Sequence, residues 1–299
     1  MHHFYPAMEI IIAKNTGLCY GVKRALKTAQ ETRRRREGKV STLGDLIHNP
    51  QVIADLKAKG VGSIEDVKDI EHGTVIIRSH GVSPDIYKAL KRKKLEVVDA
   101  TCPIVQKIQE LVGRLARENK EIIIVGNKDH PESKGLIGHS RGRGLIIENE
   151  TQTAALSFKK RRAVLAQSTQ DLYLFKKVVA SLIEKTEDLQ VFNTICKSTQ
   201  TRQRAASELA TRVEALFIVG GKNSSNTRKL YQISKRILPR TYFIESAGQI
   251  TTEMLRGART IGISGGASTP PEAIEAAVEK IQQIFEPHSR EESRVQCQR

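Results

Sequence analysis

Short apolar runs alternate with longer amphipathic stretches along almost the whole chain. Ile10-Ile11-Ile12 and Ile122-Ile123-Ile124-Val125 are typical of the runs, and polar or glycine-bearing turns close them. Brief β-branched runs of this kind are the pattern of strands covered on both faces. Strands are predicted at 9–13, 40–43, 74–78, 96–98, 121–125, 144–147, 163–166, 189–192, 215–219, 241–244 and 260–263. Apolar residues at helical spacing predict helices at 22–36, 51–59, 84–92, 104–119, 172–185, 199–212, 226–237 and 271–285; the last carries Ile274, Ala277, Val278, Ile281 and Phe285 on one face. Strand alternating with helix is the signature of α/β layering with largely parallel sheets.

Three cysteines punctuate this pattern regularly. Cys19, Cys102 and Cys196 lie 83 and 94 residues apart, and each follows a strand-like run and leads into a helix. The spacing divides the chain into 8–102, 103–196 and 197–285, three lobes of similar size in a threefold pseudo-repeat, with a polar tail at 286–299. Cys297, in that tail, is expected to be a bystander.

In parallel α/β sheets ligands gather at the carboxyl ends of strands, and here those ends are unusually polar. His48, His80 and His130 occupy strand-end loops beside Gly, Pro or Asn. A lone histidine is more often a satisfied core residue; three in such loops point to charge-assisted binding of anionic oxygens. Glu132 follows His130 by two positions, either as a first-turn glutamate complementing the helix dipole or as a proton donor. Ser168 lies in the loop Gln167-Ser168-Thr169. Ser224, Ser225 and Asn226 open a helix after Gly220-Gly221, and Ser268 sits in a similar turn before Pro270. Each serine alone reads as a cap; together with backbone amides they form an anion cradle. No Walker-type lysine motif or Gly-x-Gly-x-x-Gly fingerprint supports nucleotide binding.

Each cysteine thiol at a helix N-terminus is expected to have a lowered pKa. Three converging thiolates suit zinc or an iron–sulfur cluster, though the lack of a Cys-x-x-Cys pair weighs against structural zinc. The plainer alternative is three unrelated buried thiols.

Composition narrows the class. Aromatics make up 4% and Trp is absent, so the core must be aliphatic. Apolar stretches stop far short of a membrane span, and the first residues lack the zones of a secretory signal, so a cytoplasmic location is expected. Forty-nine Lys and Arg against thirty-three Asp and Glu give +16. The basic runs 33–36, 91–94 and 159–162 read as solvated helix faces or helix C-termini with little aromatic interleaving, which argues against a nucleic-acid binder and for attraction of anionic substrates or an acidic electron carrier.

The ordered motifs Gly17-Leu18-Cys19-Tyr20-Gly21-Val22, His48-Asn49, Ser79-His80-Gly81-Val82, Ala100-Thr101-Cys102-Pro103, His130-Pro131-Glu132, Lys222-Asn223-Ser224-Ser225-Asn226 and Gly266-Ala267-Ser268-Thr269-Pro270 resemble those of the 4-hydroxy-3-methylbut-2-enyl diphosphate reductases, from about Met8 to Phe285. The resemblance implies three pseudo-symmetric α/β lobes in a cloverleaf around a 4Fe–4S cluster held by Cys19, Cys102 and Cys196, with one iron open to the substrate hydroxyl. It implies that His48, His80, Ser224, Asn226 and Ser268 surround the diphosphate, that His130 and Ser225 complete the pocket, and that Glu132 donates a proton with Ser168 in its relay. It further implies a monomer reduced by a ferredoxin or flavodoxin, yielding isopentenyl and dimethylallyl diphosphate at the end of the methylerythritol phosphate route. Two departures from the family pattern occur: Ser168 replaces a usual threonine, and Lys197-Ser198 replaces a usual aromatic-Ala pair. An aconitase-type hydro-lyase and a basic RNA-associated protein are the competing readings.

Overall fold

The structure, a computed structural model, describes residues 8–296, with side chains as far as Phe285. In chain order it runs β1 (Glu9–Ile12), α1 (Tyr20–Arg35), β2 (Val40–Leu43), α2 (Pro50–Ala58), β3 (Val61–Ile64), β4 (Thr74–Ile77), α3 (Pro84–Arg92), β5 (Glu96–Asp99), α4 (Pro103–Arg117), β6 (Glu121–Val125), α5 (Pro131–His139) and β7 (Gly144–Ile147). It continues with β8 (Lys159–Ala166), α6 (Leu172–Ile183), β9 (Thr186–Phe192), α7 (Lys197–Ala210), β10 (Ala215–Val219), α8 (Ser225–Ile237), β11 (Thr241–Ile244), α9 (Thr252–Leu255), β12 (Thr260–Gly265) and α10 (Pro271–Gln296). Proline stands in the first turn of α2, α3, α4 and α5. There its fixed φ suits the helix and its missing N–H costs nothing.

The strands form three four-stranded sheets, all parallel, in the orders β3-β2-β4-β5, β7-β6-β8-β9 and β11-β10-β12-β1. The three orders are one pattern repeated. Strand β1 fills in the third sheet the edge place that β5 and β9 fill in the others. Each of these three edge strands leads to one cysteine: β1 to Cys19, β5 to Cys102 and β9 to Cys196. Three α/β lobes of one topology result, and the internal repeat expected from cysteine spacing is a repeat of topology.

Two compact units emerge from the contacts. One holds the described residues of Met1–Leu18 and Thr201–Arg299; the other is Cys19–Gln200. In the first, the β1 register Glu9↔Thr260 to Ile12↔Ile263 ties the start of the chain to its last strand. Residues 9–12, expected within 8–102, thus complete the sheet of the C-terminal segment. Its core lies on both sheet faces, with Phe217, Ile263 and Ile281 on one and Leu216, Ile218 and Leu230 on the other. In the unit 19–200, Ile122, Ile123, Ile124 and Val125 are fully buried. They pack alternately toward the α4–α5 side and the α6 side, as a central parallel strand requires.

Three local expectations are corrected. The run 159–162 is not a helix face: it opens β8, and Arg162 is fully buried. Its guanidinium donates to Glu121 at 2.6 Å, to the Lys185 and Ser157 carbonyls and to Thr186 Oγ1, so every side of the charge meets an acceptor. Helix α10 carries on to Gln296 through most of the expected tail; Cys297 lies outside the described residues. Strand β3 and helices α5 and α9 lacked a periodic signal. In α5 the reason is Gly135 and Gly138, which weaken the helical pattern. Gly138 has no room for a side chain, since a Cβ there would strike the Ser83 side chain.

Candidate functional site

The site residues of the unit 19–200 all sit where strands end and helices begin. Cys19 and Cys102 are the N-caps of α1 and α4, and Cys196 directly precedes α7. Their carbonyls accept the first helical N–H bonds, from Lys23, Gln106 and Gln200. All three are free thiols and half-buried. Cys19 and Cys196 are near enough to push the Cys102 pKa up electrostatically. Burial is the largest cause of that rise, and the Ile104 and Val105 amides only partly offset it. For Cys102 the expected lowering by the helix terminus is therefore overturned, because desolvation of the thiolate outweighs the two N–H bonds.

Gly21 keeps this region open. A Cβ there would stand 2.6 Å from Cys102 Sγ and 4.0 Å from Cys19 Sγ, so the two sulfurs flank a space that any larger residue would fill. Two backbone bonds tie the cysteines to the neighbouring loops. The Cys102 amide donates to the Ser79 carbonyl and the Cys196 amide to the Ser168 carbonyl, each at 2.9 Å. These are equivalent bonds in two lobes, since Ser79 follows β4 and Ser168 follows β8.

His48, His80 and His130 converge. Ring centroids are 4.4 Å apart for His48–His80 and 5.2 Å for each ring with His130. One ring nitrogen from each lies within 4.8 Å of the other two. Burial, then the nearby Arg78 guanidinium, holds the His48 pKa below its ordinary value, with Asp45 opposing. Burial, then His48, His130 and Arg78, holds His80 well below it. Nδ1 of His80 is buried without a hydrogen-bond partner. His130 caps α5, its Nδ1 accepting from the Glu132 amide at 3.1 Å; the neutral ring therefore carries its proton on Nε2. Arg78 was not singled out from the sequence. The signal available was its place beside Ser79-His80-Gly81, and a Cβ on Gly44 would collide with its guanidinium.

Glu132 is 1% exposed. The Ser168 amide donates to one of its carboxylate oxygens at 2.6 Å and the Ser168 hydroxyl to the other at 2.7 Å. Burial pushes its pKa up, and these two bonds only partly offset the rise. The carboxyl thus keeps its proton to higher pH than an ordinary glutamate, as a proton donor should. Gln167 braces the same loop, its Oε1 accepting from the Asn127 amide and its Nε2 donating to Thr169 Oγ1.

In the other unit, Ser224, Ser225, Asn226 and Ser268 occupy loops after the adjacent strands β10 and β12, whose ends are in register at Val219↔Gly265. Ser224 caps α8, its Oγ accepting from the Thr227 amide at 3.3 Å. Asn226 is 3% exposed, and neither its Nδ2 nor its Oδ1 has a partner. A buried amide with both ends unsatisfied at a helix N-terminus is costly unless a ligand completes it. The turn carrying Ser268 is pinned by Thr269, whose hydroxyl donates to the Val219 carbonyl at 2.8 Å. Thr227, missed in the sequence, sets how close the two loops come: a Cβ on Gly220 would lie 3.0 Å from its Oγ1, and one on Gly266 would overlap it.

Comparison with known proteins follows the same lines. Residues 10–282 match the family model described as LytB protein. A 4-hydroxy-3-methylbut-2-enyl diphosphate reductase of Aquifex aeolicus (strain VF5) is 44% identical over 282 residues, 93% of this chain and 98% of that one. One of Caldanaerobacter subterraneus subsp. tengcongensis is 41% identical over 281 residues, with the same shares. Among solved structures, one of (E)-4-hydroxy-3-methyl-but-2-enyl diphosphate reductase, the terminal enzyme of the non-mevalonate pathway, is 43% identical. It has a TM-score of 0.67 and covers 92% of this chain and 99% of its own. The E-1-hydroxy-2-methyl-but-2-enyl-4-diphosphate reductase from Plasmodium falciparum gives 28% identity and a TM-score of 0.87, over 92% and 88%.

Proposed function

The chain belongs to the LytB protein family, and from that premise we propose that it reductively removes the hydroxyl of 4-hydroxy-3-methylbut-2-enyl diphosphate, giving isopentenyl and dimethylallyl diphosphate. The observation that carries the reading is the convergence of three free thiols from three helix N-termini, close enough for Cys19 and Cys196 to act on Cys102. Three thiol donors, two of them flanking a space kept open by Gly21, suit a 4Fe–4S cluster with one iron left unheld by cysteine. When bound, such a cluster supplies single low-potential electrons and Lewis acidity.

The remaining chemistry belongs to side chains. The allylic C–O bond breaks and a C–H bond forms; two electrons and two protons enter, and water leaves. Glu132, whose pKa burial raises, is the proposed proton donor to the departing hydroxyl, and Ser168 positions its carboxyl through both oxygens. His48 and His80 are proposed to bind diphosphate oxygens and His130 to complete that pocket. Diphosphate charge would return protons to rings that burial keeps neutral. Ser224, Ser225, Asn226 and Ser268 are proposed as further oxygen ligands, with the unsatisfied Asn226 amide as the main support.

No helix among the described residues is long and apolar enough to cross a membrane. A cytoplasmic monomer reduced by a ferredoxin or flavodoxin completes the reading. The test is anaerobic reconstitution followed by turnover of the diphosphate with dithionite and a viologen dye. Substrate-dependent dye oxidation yielding isopentenyl and dimethylallyl diphosphate is expected; dehydration without reductant would favour a hydro-lyase and overturn the reading. Cys102→Ser should abolish the broad visible absorption, and an unchanged spectrum and iron content would remove Cys102 from the ligand set.

A further inference from the structure

One ligand-bearing segment opens on the surface through a groove that the proposed reaction leaves unused. Between α4 and the connection from β9 to α7 lies a cleft of about 290 Å³, and Cys196 is part of its wall. Ile104 and Leu111 of α4 line its apolar side, and Lys107 and Lys197 are its charges; no carboxylate lines it. Ile104 is 40% exposed although apolar, and both lysines are exposed. The wall is held from behind. Thr194 Oγ1 accepts from the Ala166 amide at 2.9 Å, and the Cys196 amide donates to Ser168. The groove is thus preformed, apolar at its floor and positive at its rim, the anatomy of a protein docking site.

We infer that this groove receives the acidic one-electron carrier, a ferredoxin, with Lys107 and Lys197 pairing its carboxylates so that electrons enter past Cys196. The inference rests on the proposed cluster at Cys196 and adds where its reductant binds. A rival basic surface exists in the same unit: Arg143, Lys159, Lys160 and Arg161 border a larger cleft of about 460 Å³. That cleft adjoins the first residues of β6, β7 and β8, whereas Cys196 follows the last residues of the sheet. An eight-residue strand such as β8 spans roughly 25 Å, and electron transfer slows exponentially with distance. Charge alone favours the larger cleft; distance decides for the smaller one.

The experiment measures binding of an oxidised acidic ferredoxin to the anaerobically reconstituted protein by calorimetry, at low and high salt. Lys107→Glu and Lys197→Glu should each weaken binding by about tenfold or more and flatten its salt dependence. The cluster spectrum and dithionite–viologen turnover of Lys107→Glu should be unchanged. Should Lys197→Glu lose its cluster, Lys107→Glu, on α4, still reads the groove. Unaltered ferredoxin affinity in Lys107→Glu, or equal weakening by Arg143→Glu and Lys160→Glu, would overturn the inference. So would groove-dependent binding of a flavodoxin with none of the ferredoxin. Absence of dithionite-driven turnover in the unaltered protein would instead sink the proposed activity, with the binding comparison still readable.

Discussion

The backbone amide of Cys196 donates to the carbonyl of Ser168 at 2.9 Å, while the amide and hydroxyl of Ser168 hold the two carboxylate oxygens of Glu132. One serine thus connects a proposed metal ligand to the proposed proton donor without a flexible link between them. The corresponding bond in the preceding lobe, from the Cys102 amide to Ser79, places the loop of His80 against the next cysteine. In these two lobes the repeat of topology is therefore also a repeat of how the cysteine is fixed to a polar loop.

Glu132→Gln should lower kcat by about 10²–10⁴-fold with iron content and visible spectrum intact. Glutamine fills the same space and accepts the Ser168 amide bond, but has no acidic proton to give. Steady-state turnover with dithionite and a viologen checks this, and activity within a few-fold of the unaltered protein would remove Glu132 from the proton path.

Gly21→Ala should impair cluster retention while preserving the fold. Its added carbon would stand 2.6 Å from Cys102 Sγ, so the sulfur must shift. Alanine otherwise favours a helix over glycine by roughly 1 kcal/mol. Iron per chain after reconstitution should fall while the circular dichroism of the apoprotein is kept; full iron occupancy would show that the space beside Gly21 is not needed.

Asn226→Leu separates binding from stability. Replacing a buried amide whose two polar atoms lack partners by an apolar group of similar size should leave the Tm of the ligand-free protein unchanged or higher. If the amide binds diphosphate, KM should rise by about tenfold, equivalent to roughly 1.4 kcal/mol. A lowered Tm with unchanged KM would assign Asn226 a structural role.

The lowered histidine pKa values give a pH dependence of definite sign. Between those values and the ordinary 6.5, the unfolded chain binds more protons than the folded one. The histidine contribution is whole above 6.5 and is lost as pH falls through that value toward the folded pKa. Glu132 acts oppositely: raised from 4.5, it favours the folded state below that value, and the advantage fades as pH rises toward its folded pKa. Removing one histidine should therefore weaken the loss on acidification. Between about pH 7.5 and pH 5, apoprotein Tm should drop less in His80→Asn than in the unaltered chain; parallel curves would show that His80 is not titrating as described.

Much of the architecture is written in local pattern. Runs such as 121–125 and 215–219 declare buried parallel strands because every position is apolar, and Pro103 or Pro84 marks a helix start by its fixed φ. Cysteine spacing announced the repeat. Elements with weak periodicity stayed hidden: Val61–Ile64 is interrupted by Gly62 and Ser63, and α5 carries two glycines, one of which, Gly138, has no room for a side chain beside Ser83. The run 159–162 misled because four charges in a row look solvated, whereas Arg162 is buried by partners distant in the chain.

By itself, then, the sequence determined the layering, the parallel sheets and the roster of cysteines, histidines, serines and Glu132, since residue type and local spacing carry that information. Only the tertiary structure decided that β1 closes the last sheet, that the Cys102 thiol is desolvated beside two others, and that Ser168 grips Glu132 across 36 positions of chain. Pairing, burial and electrostatic environment depend on which distant segments meet, and no local pattern encodes them.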